Sequence, residues 1–384
     1  MKILIVHNKY KIYGGEESVF RNEVDLLKKN GHEVETFLMD NDEIGSVFSK
    51  IKIGLFGFYN PFSSKIIRKK VDKFLPDIIH IHNFFPLISP SIFFKRARKK
   101  IPVVMTLHNY RLICQNAILF RNGKICERCI KKKVPLVGVI SKCYRNSSIQ
   151  TLILVLVTGF HKIIGTWKKR VDRYICLSEF QKKKILESSL NLKSDQIKVK
   201  PNFAFEGGEE FLKREDFFLY VGRISVEKGI GTVVEAFKNT DYKLKIIGEG
   251  CIQEEIKKTC DLQDNMDFLG VMDHDSVMKQ MKLAKGLIFP SNIYEGFPMV
   301  IVEALLSGTP VIASDIGSQS EIITDGENGY HFTADDPDDL RRKVKKLYNN
   351  NNEFMYGNAF QTYKKYYSDT ENYKLLIKIY RELL

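Results

Sequence analysis

No apolar run in this chain of 384 residues is long enough to cross a bilayer. The longest, Leu152 to Val157 with an extension to Phe160, is broken by Thr158, Gly159, His161 and Lys162, far short of the roughly 20 residues a spanning helix needs. The opening MKILIVHNKY turns polar after one strand-like run and lacks the apolar stretch and small-residue cleavage site of a signal peptide, so a cytoplasmic protein is expected. A disulfide framework is also lacking: seven cysteines, an odd number, favour reduced thiols. There is no short-period repeat, and nothing of low complexity beyond Asn349 to Asn352. Acids are scarce in the first 200 residues, 16 Asp and Glu against 38 Lys and Arg, whereas the remainder reverses the balance at 30 against 22. The two halves therefore face different chemical neighbours. Basic clusters at Arg68-Lys69-Lys70, Lys95 to Lys100, Lys131 to Lys133 and Lys168 to Arg170 suit an anionic membrane surface or a diphosphate-linked acceptor, or else are solvated helix faces.

What is present is an alternation of strand-like runs and helical patterns, the signature of parallel sheets wrapped by crossover helices. Strands are expected at Lys2–His7, His32–Met39, Asp77–His82, Pro102–His108 and Arg173–Ser178, then at Phe217–Val221, Lys243–Ile247, Met266–Leu269, Gly286–Phe289 and Pro310–Ala313. Gly31 stands where a helix over Glu17–Asn30 wants its C-terminal cap, and Ser89-Pro90 reads as an N-cap followed by a first-turn proline. The fold class is α/β: two doubly wound, Rossmann-like domains facing a cleft. The charge reversal near Lys200-Pro201-Asn202, followed by a Gly- and Glu-rich loop from Glu206 to Glu210, sets the boundary. The expected domains are 1–201 and 202–362, with a helix over 363–384 packing back at the junction.

The most informative stretch runs from Phe289 to Ala313 as strand, loop, helix, turn and strand. Pro298 suits the first helical position and Gly308 the left-handed residue after the end, placing Glu295 in the loop and Glu303 about a turn and a half into the helix. The amides of that helix start, with Gly296 allowing close approach and Phe297 beside it, form a ready anion site. A carboxylate there makes sense as an acceptor of sugar or ribose hydroxyls. Arg223 and Lys228, in Tyr220-Val221-Gly222-Arg223 through Lys228-Gly229, follow the first strand of the same domain, where ligands bind in doubly wound sheets. Arg223 can fork two phosphate oxygens and Lys228 adds a point charge, so the pair can neutralise a diphosphate. Tyr13-Gly14-Gly15-Glu16-Glu17 offers a tight turn and amides at another helix start. Phe268 to Val271 is expected to line the nucleobase pocket through backbone atoms, with Gly248-Glu249-Gly250 closing its floor.

Two glutamates with seven residues between them, flanked by Gly296-Phe297-Pro298 and the Gly308-Thr309-Pro310-Val311-Ile312-Ala313 continuation, resemble the signature of glycosyltransferase family 4, retaining enzymes of the two-domain GT-B type. The resemblance implies that Glu295 contacts hydroxyls of the donor sugar and Glu303 those of the ribose. It also implies that Arg223 and Lys228 take the place of a divalent cation, so that no metal cofactor is required, and that the Gly14-Gly15 loop closes on the donor. His108, at a strand end, would by the same resemblance touch the transferred sugar or the acceptor; a structural histidine is the alternative. The implied activity is retaining transfer of a sugar from a nucleotide-diphosphate sugar to a lipid-linked or saccharide acceptor, through stabilisation of the departing diphosphate. A nucleotide-sugar epimerase on the same scaffold and a non-catalytic basic scaffold binding membrane or nucleic acid are the competing readings; nucleic acid is not the expected partner.

The segment from His108 to Gln150 is long for a loop and holds Cys114, Cys126, Cys129 and Cys143, so it needs a function or a staple. The count and the Cys126-x-x-Cys129 spacing fit either a structural zinc site or plain reduced thiols. His108-Asn109-Tyr110-Arg111-Leu112-Ile113-Cys114 with this cysteine arrangement resembles a capsule- or exopolysaccharide-assembly subgroup of the family, which favours a metal or acceptor-site role here; together with the basic charge it implies a setting at the inner face of the plasma membrane. The apolar run Ile149 to Trp167, ending in Lys168, Lys169 and Arg170, is read as a membrane-interface helix or a core helix. Neither the sugar nor the base is readable.

Overall fold

The computed structural model describes residues 1–9, 14–40, 57–94, 101–206, 212–349 and 353–384. Tyr13, the cluster from Lys95 to Lys100, residues 207–210 of the Gly- and Glu-rich loop and Asn350 to Asn352 lie outside the described residues. The chain divides into two compact units: Met1–Leu119, Cys126–Pro201 and Asn372–Leu384 form the first, and Phe120–Ile125 and Asn202–Glu371 the second.

The first unit holds a six-stranded sheet in the order β2-β1-β3-β4-β7-β8, built from β1 (Lys2–Lys9), β2 (Glu33–Asp40), β3 (Ile78–Ile81), β4 (Val103–Leu107), β7 (Arg173–Cys176) and β8 (Ile197–Val199). All its pairings are parallel. Strands buried on both faces read as continuous apolar runs, and β1 and β3 are buried almost throughout. The helix Gly15–Lys29 turns Val19, Phe20, Glu23, Val24, Leu26 and Leu27 inward and ends where Gly31 takes φ +76°. Asn60 caps the helix Pro61–Phe74, its Oδ1 accepting from the amides of Phe62 and Ser63. Ser89 caps the short turn Pro90–Phe93 through the amide of Ser91.

The second unit repeats the plan in the order β11-β10-β9-β12-β13-β14, with β9 (Phe217–Val221), β10 (Lys243–Ile247), β11 (Met266–Gly270), β12 (Gly286–Phe289), β13 (Val311–Ser314) and β14 (Gly329–Phe332), again all parallel. A hairpin of β5 (Phe120–Arg121) and β6 (Lys124–Ile125) turns through Asn122 and Gly123, both left-handed, as the Asn-Gly pair favours. The run read as one helix from Tyr363 is two, Glu353–Tyr366 and Asp369–Arg381. At the break Ser368 pairs with Ala204, and the Tyr363 hydroxyl donates to the Ala204 carbonyl at 3.0 Å. Leu376, Ile377, Ile379 and Tyr380 belong to the first unit's core, alongside Ile3, Ile5, Phe20, Val24, Ile78 and Ile175.

Candidate functional site

In the second sheet the strand order reverses between β9 and β12, and a crevice outside the carboxyl ends of such strands is where open α/β sheets bind ligands. The segment after β9 carries Arg223 and Lys228, and the segment after β12 carries Glu295. The Lys228 Nζ lies 2.5 Å from Glu295 Oε1, with both side chains mostly shielded from solvent. Ser291 Oγ donates to the same oxygen at 2.6 Å, and Ser318 Oγ donates to the Glu295 carbonyl at 2.9 Å. Gly229 makes the approach possible: its φ is +71°, and a Cβ there would stand 2.0 Å from the Pro290 carbonyl oxygen. The Asn292 amide donates to the Glu227 carbonyl at 3.0 Å, joining the two loops again. Arg223 is exposed, its nearest carboxylate being Glu227 at 3.6 Å. An ammonium has three donors, so Lys228 can hold Glu295 and still reach phosphate oxygens. Pro298 caps the helix Met299–Leu306 rather than opening it, one position earlier than the sequence suggests; the amides of that first turn have no intrahelical acceptor. Phe297 is buried, with its carbonyl accepting from Asn202 at 3.0 Å.

Gly248, Glu249, Phe268, Leu269, Gly270 and Val271 line one open depression, so Glu249 and Val271, chosen from separate strand ends, are brought together. Gly248, at φ +142°, lets β10 turn against the Gly222 carbonyl, which a Cβ would meet at 1.9 Å. Glu303 lies on the fifth residue of its helix, where burial raises its carboxyl pKa while the nearby His274 pulls it back down. The sequence reading did not single out Ser291, Ser318 or His274, because serines and an exposed histidine carry no motif of their own.

In the first unit Gly14 is extended and exposed before the helix Gly15–Lys29, with Gly15 its first residue. His108 follows β4 and lines a pocket with Glu16, His82, Asn83, Phe85, Asn109 and Arg111. Behind it runs a buried polar line in which His80 and His82 had weaker sequence cases and Glu23 and Lys200 had none. His108 Nε2 is 2.9 Å from His82 Nδ1, and His82 Nε2 is 3.0 Å from Glu23 Oε1. His80 Nδ1 reaches the same carboxylate oxygen at 2.8 Å, and Lys200 Nζ the other at 2.9 Å. Burial pushes the Glu23 carboxyl up, but Lys200, His80 and His82 pull harder and hold it well below its ordinary range. Burial drives His82 down to about 4 and His108 well below its usual value, so both rings are neutral near pH 7. Among the described residues, Glu23, His80 and His82 are the one trio with ligand atoms close enough for a metal ion. The Lys200 ammonium already supplies the positive charge there.

The four cysteines of the long segment share one neighbourhood: burial raises the Cys129 thiol to about 12, and Cys114, Cys143 and Cys126 add to the shift. Their sulfurs do not form a trio within ligand range, and the Cys114 thiol donates to Asn116 Oδ1 at 2.8 Å. As placed, they do not fit tetrahedral zinc. Trp167, read as flanking a membrane helix, is 1% exposed and packs on Phe84, Phe93 and His161, so it is core rather than an interfacial anchor. An indole at the interface would need one wet edge.

Two parallel doubly wound sheets, the second with a lysine–glutamate contact at its switch point, define a two-domain α/β protein with its ligand loops at strand ends. Residues 13–204, half of the chain, match the family described as Glycosyltransferase Family 4, and residues 204–365 match Glycosyl transferases group 1. The chain belongs to glycosyltransferase family 4. It is 33% identical over 186 residues to the uncharacterized glycosyltransferase MJ1178 of Methanocaldococcus jannaschii, covering 47% of this chain and 50% of that one. It is 30% identical over 136 residues to the D-rhamnosyltransferase WbpZ of Pseudomonas aeruginosa, covering 34% and 36%. The chain thus spans half or less of the length of these curated relatives. Its fold is similar to that of HepE from Anabaena, solved in complex with UDP, at 15% identity over 99% of each chain and a TM-score of 0.70. The expected GT-B class, with two Rossmann-like parallel-sheet domains, is the one observed.

Proposed function

We propose that this chain transfers a sugar from a nucleotide-diphosphate sugar, with retention and without a metal ion, to a lipid-linked or saccharide acceptor in cell-surface polysaccharide assembly at the inner face of the plasma membrane. The observation that carries the reading is the 2.5 Å contact of Lys228 with Glu295 at the switch point of the second sheet. An ammonium able to meet a diphosphate, beside a carboxylate able to accept sugar hydroxyls, supports this reading. Glu303 and the Glu249–Val271 depression are the ribose and base contacts in this reading, and the helix start after Gly296-Phe297-Pro298 receives a phosphate. In the first unit the Gly14-Gly15 turn and His108 are the proposed contacts, the turn's amides for a phosphate and His108 for the sugar or the acceptor.

In the step itself the C1–O bond of the donor breaks and its electron pair passes to the diphosphate oxygen, where Lys228 and Arg223 stabilise the growing charge. The acceptor hydroxyl forms the new bond on the vacated face, and its proton passes to the departing diphosphate. The chain's cations supply the stabilisation, so chelation with EDTA is expected to leave the rate unchanged within about twofold. Because the cysteine sulfurs do not fit zinc as placed, no step passes through that metal; elemental analysis of untagged protein checks the point.

The test is incubation with uridine, guanosine and thymidine diphosphate sugars, each with and without a lipid-linked acceptor. Acceptor-dependent release of nucleoside diphosphate is expected. Lys228→Ala is expected to lower kcat/KM at least about a hundredfold with thermal unfolding unchanged, the size seen when one charge-stabilising donor is removed; Glu303→Ala, which takes away the acceptor for the ribose hydroxyls, is expected to lower it roughly ten- to a hundredfold, the worth of hydrogen bonds to a charged group. Isomerised sugar without acceptor would instead mark an epimerase, and wild-type turnover in both variants would remove them from the site.

A further inference from the structure

Between Arg128 and Arg170 the chain carries ten Lys and Arg and no Asp or Glu. The helix Ser148–Ile163 runs through this stretch and turns Thr151, Leu154, Val155, Val157 and Thr158 inward. Its other face is apolar as well: Ile149, Leu152, Leu156, Phe160 and Ile163, spaced three and four apart, are each between 38% and 74% exposed. That spacing forms one stripe along a helix. The short helix Val137–Ile140 packs beside it and adds Leu136 and Ile140, the latter 84% exposed. Exposed cations flank the stripe in the sequence: Lys131, Lys132, Lys133, Lys142 and Arg145 ahead of the helix and Lys168 after it. A contiguous apolar patch of this kind marks a contact surface rather than ordinary solvent-facing side chains.

We infer that this face of the first unit docks flat on a bilayer bearing anionic headgroups, with the Ser148–Ile163 helix in the plane of the interface. Sixteen residues span about 24 Å, less than the roughly 30 Å of a hydrocarbon core, and no described helix is long and apolar enough to cross. The helix lies on the membrane, as an apolar face framed by lysine and arginine does. Charge decides the occupant. A second copy seated on the same patch would bring two acid-free basic stretches together, whereas phosphate headgroups neutralise them. Trp167 and Lys162 take no part, since both are buried. The inference rests on the transferase reading only for its purpose, which is to hold the chain where a lipid-linked acceptor is presented; the binding itself is measured without donor or acceptor.

The experiment is co-sedimentation of the full chain with phosphatidylcholine vesicles and with vesicles also containing phosphatidylglycerol, at low and physiological salt. Binding is expected to the anionic vesicles alone and to weaken as salt rises. The triple variant Ile140→Ser, Ile149→Ser, Ile163→Ser changes exposed side chains only. It is expected to lower the partition coefficient at least tenfold while turnover of a water-soluble acceptor stays at the wild-type level. Replacing Lys131, Lys132 and Lys133 by Gln is expected to flatten the salt dependence. Wild-type binding in the triple variant, or no binding to anionic vesicles, overturns the inference. So does a concentration-dependent dimer in sedimentation velocity that the triple variant abolishes, which would assign the face to a second copy. Loss of all transfer activity with vesicle binding intact would sink the transferase reading and leave this one standing.

Discussion

Glu23 decides the state of the histidines stacked against it. A carboxylate only accepts hydrogen bonds, so His82 donates its Nε2–H to Glu23 and must use Nδ1 to accept from the Nε2–H of His108. His108 then keeps an unprotonated Nδ1 in the pocket it lines, which under the proposed function accepts from a substrate hydroxyl. Nitrogen-15 spectra of histidine-labelled protein at pH 7 are expected to show both rings as neutral Nε2–H tautomers; an imidazolium or an Nδ1–H tautomer at His108 would break the line. The same burial gives a pH dependence with a definite sign. His82 titrates near 6.5 when unfolded and about 4 when folded, so between those values the unfolded chain binds more protons and acid favours unfolding. Stability is therefore expected to fall as pH drops from 7 toward 4, by about 1 kcal/mol per pH unit for this ring. His7 and His108, lowered by burial too, act in the same direction. Calorimetry from pH 7 to 5 checks it, and an unfolding temperature that rises on acidification would contradict it. The histidines could be singled out at their strand ends, but the line that joins them was not legible in the sequence, because Glu23 reads there as one polar position of an amphipathic helix. Its partners stand at 80, 82 and 200, brought together only by the sheet. Lys228 and Glu295 could each be singled out because each sits in a local motif whose glycines and proline fix the backbone, whereas their contact with each other was not foreseen.

Strands that the sequence revealed are those with four or more buried apolar residues in a row or with one breaker at each end, such as β9, β10 and β12. Two were not seen. β8 is only Ile197–Val199, and β14 opens on Gly329, whose place is fixed by close approach to the Val311 carbonyl rather than by strand propensity. Helix ends were clearer where a side chain caps, as at Ser89, than at the break between Tyr366 and Asp369, where a tertiary contact with Ala204 interrupts a run with continuous helical pattern. Glycines test how the loops of the second sheet are held. At Gly248 both the backbone, φ +142°, and the 1.9 Å approach to Gly222 exclude a side chain. Gly248→Ala is therefore expected to destabilise by about 3 kcal/mol. Gly231 lies in the helix Ile230–Phe237 with open space around it, so Gly231→Ala is expected to stabilise by up to about 1 kcal/mol. Urea unfolding of the two variants should move the midpoint in opposite directions; a common direction would mean that side-chain space does not set these sites.

The first unit is closed by the end of the chain, since Asn372–Leu384 belong to it although residues 202–371 intervene. Leu376 and Tyr380 are fully buried among β-strand residues of that sheet, Ile377 and Ile379 nearly so, and the Tyr380 hydroxyl lies 2.7 Å from His80 Nδ1. Asn372 ties the start of this segment down, accepting from Lys200 at 3.0 Å and donating to the Pro201 carbonyl at 2.6 Å. Burying one such side chain contributes roughly 1.5–3 kcal/mol, so losing four removes roughly 6–12 kcal/mol. A domain has only about 5–15 kcal/mol in all. It follows that a chain ending at Glu371 should keep the second unit and lose the first. Calorimetry should show one cooperative transition where the full chain shows the unfolding of both units. Limited proteolysis should leave a fragment beginning near Asn202 that nucleoside diphosphate still protects against heating, since Lys228, Glu295 and Glu303 all lie within it. The opposite result, a protease-resistant first unit in the shortened chain, would mean that the sheet's other helix-covered face suffices and that the terminal residues merely rest on a core already formed.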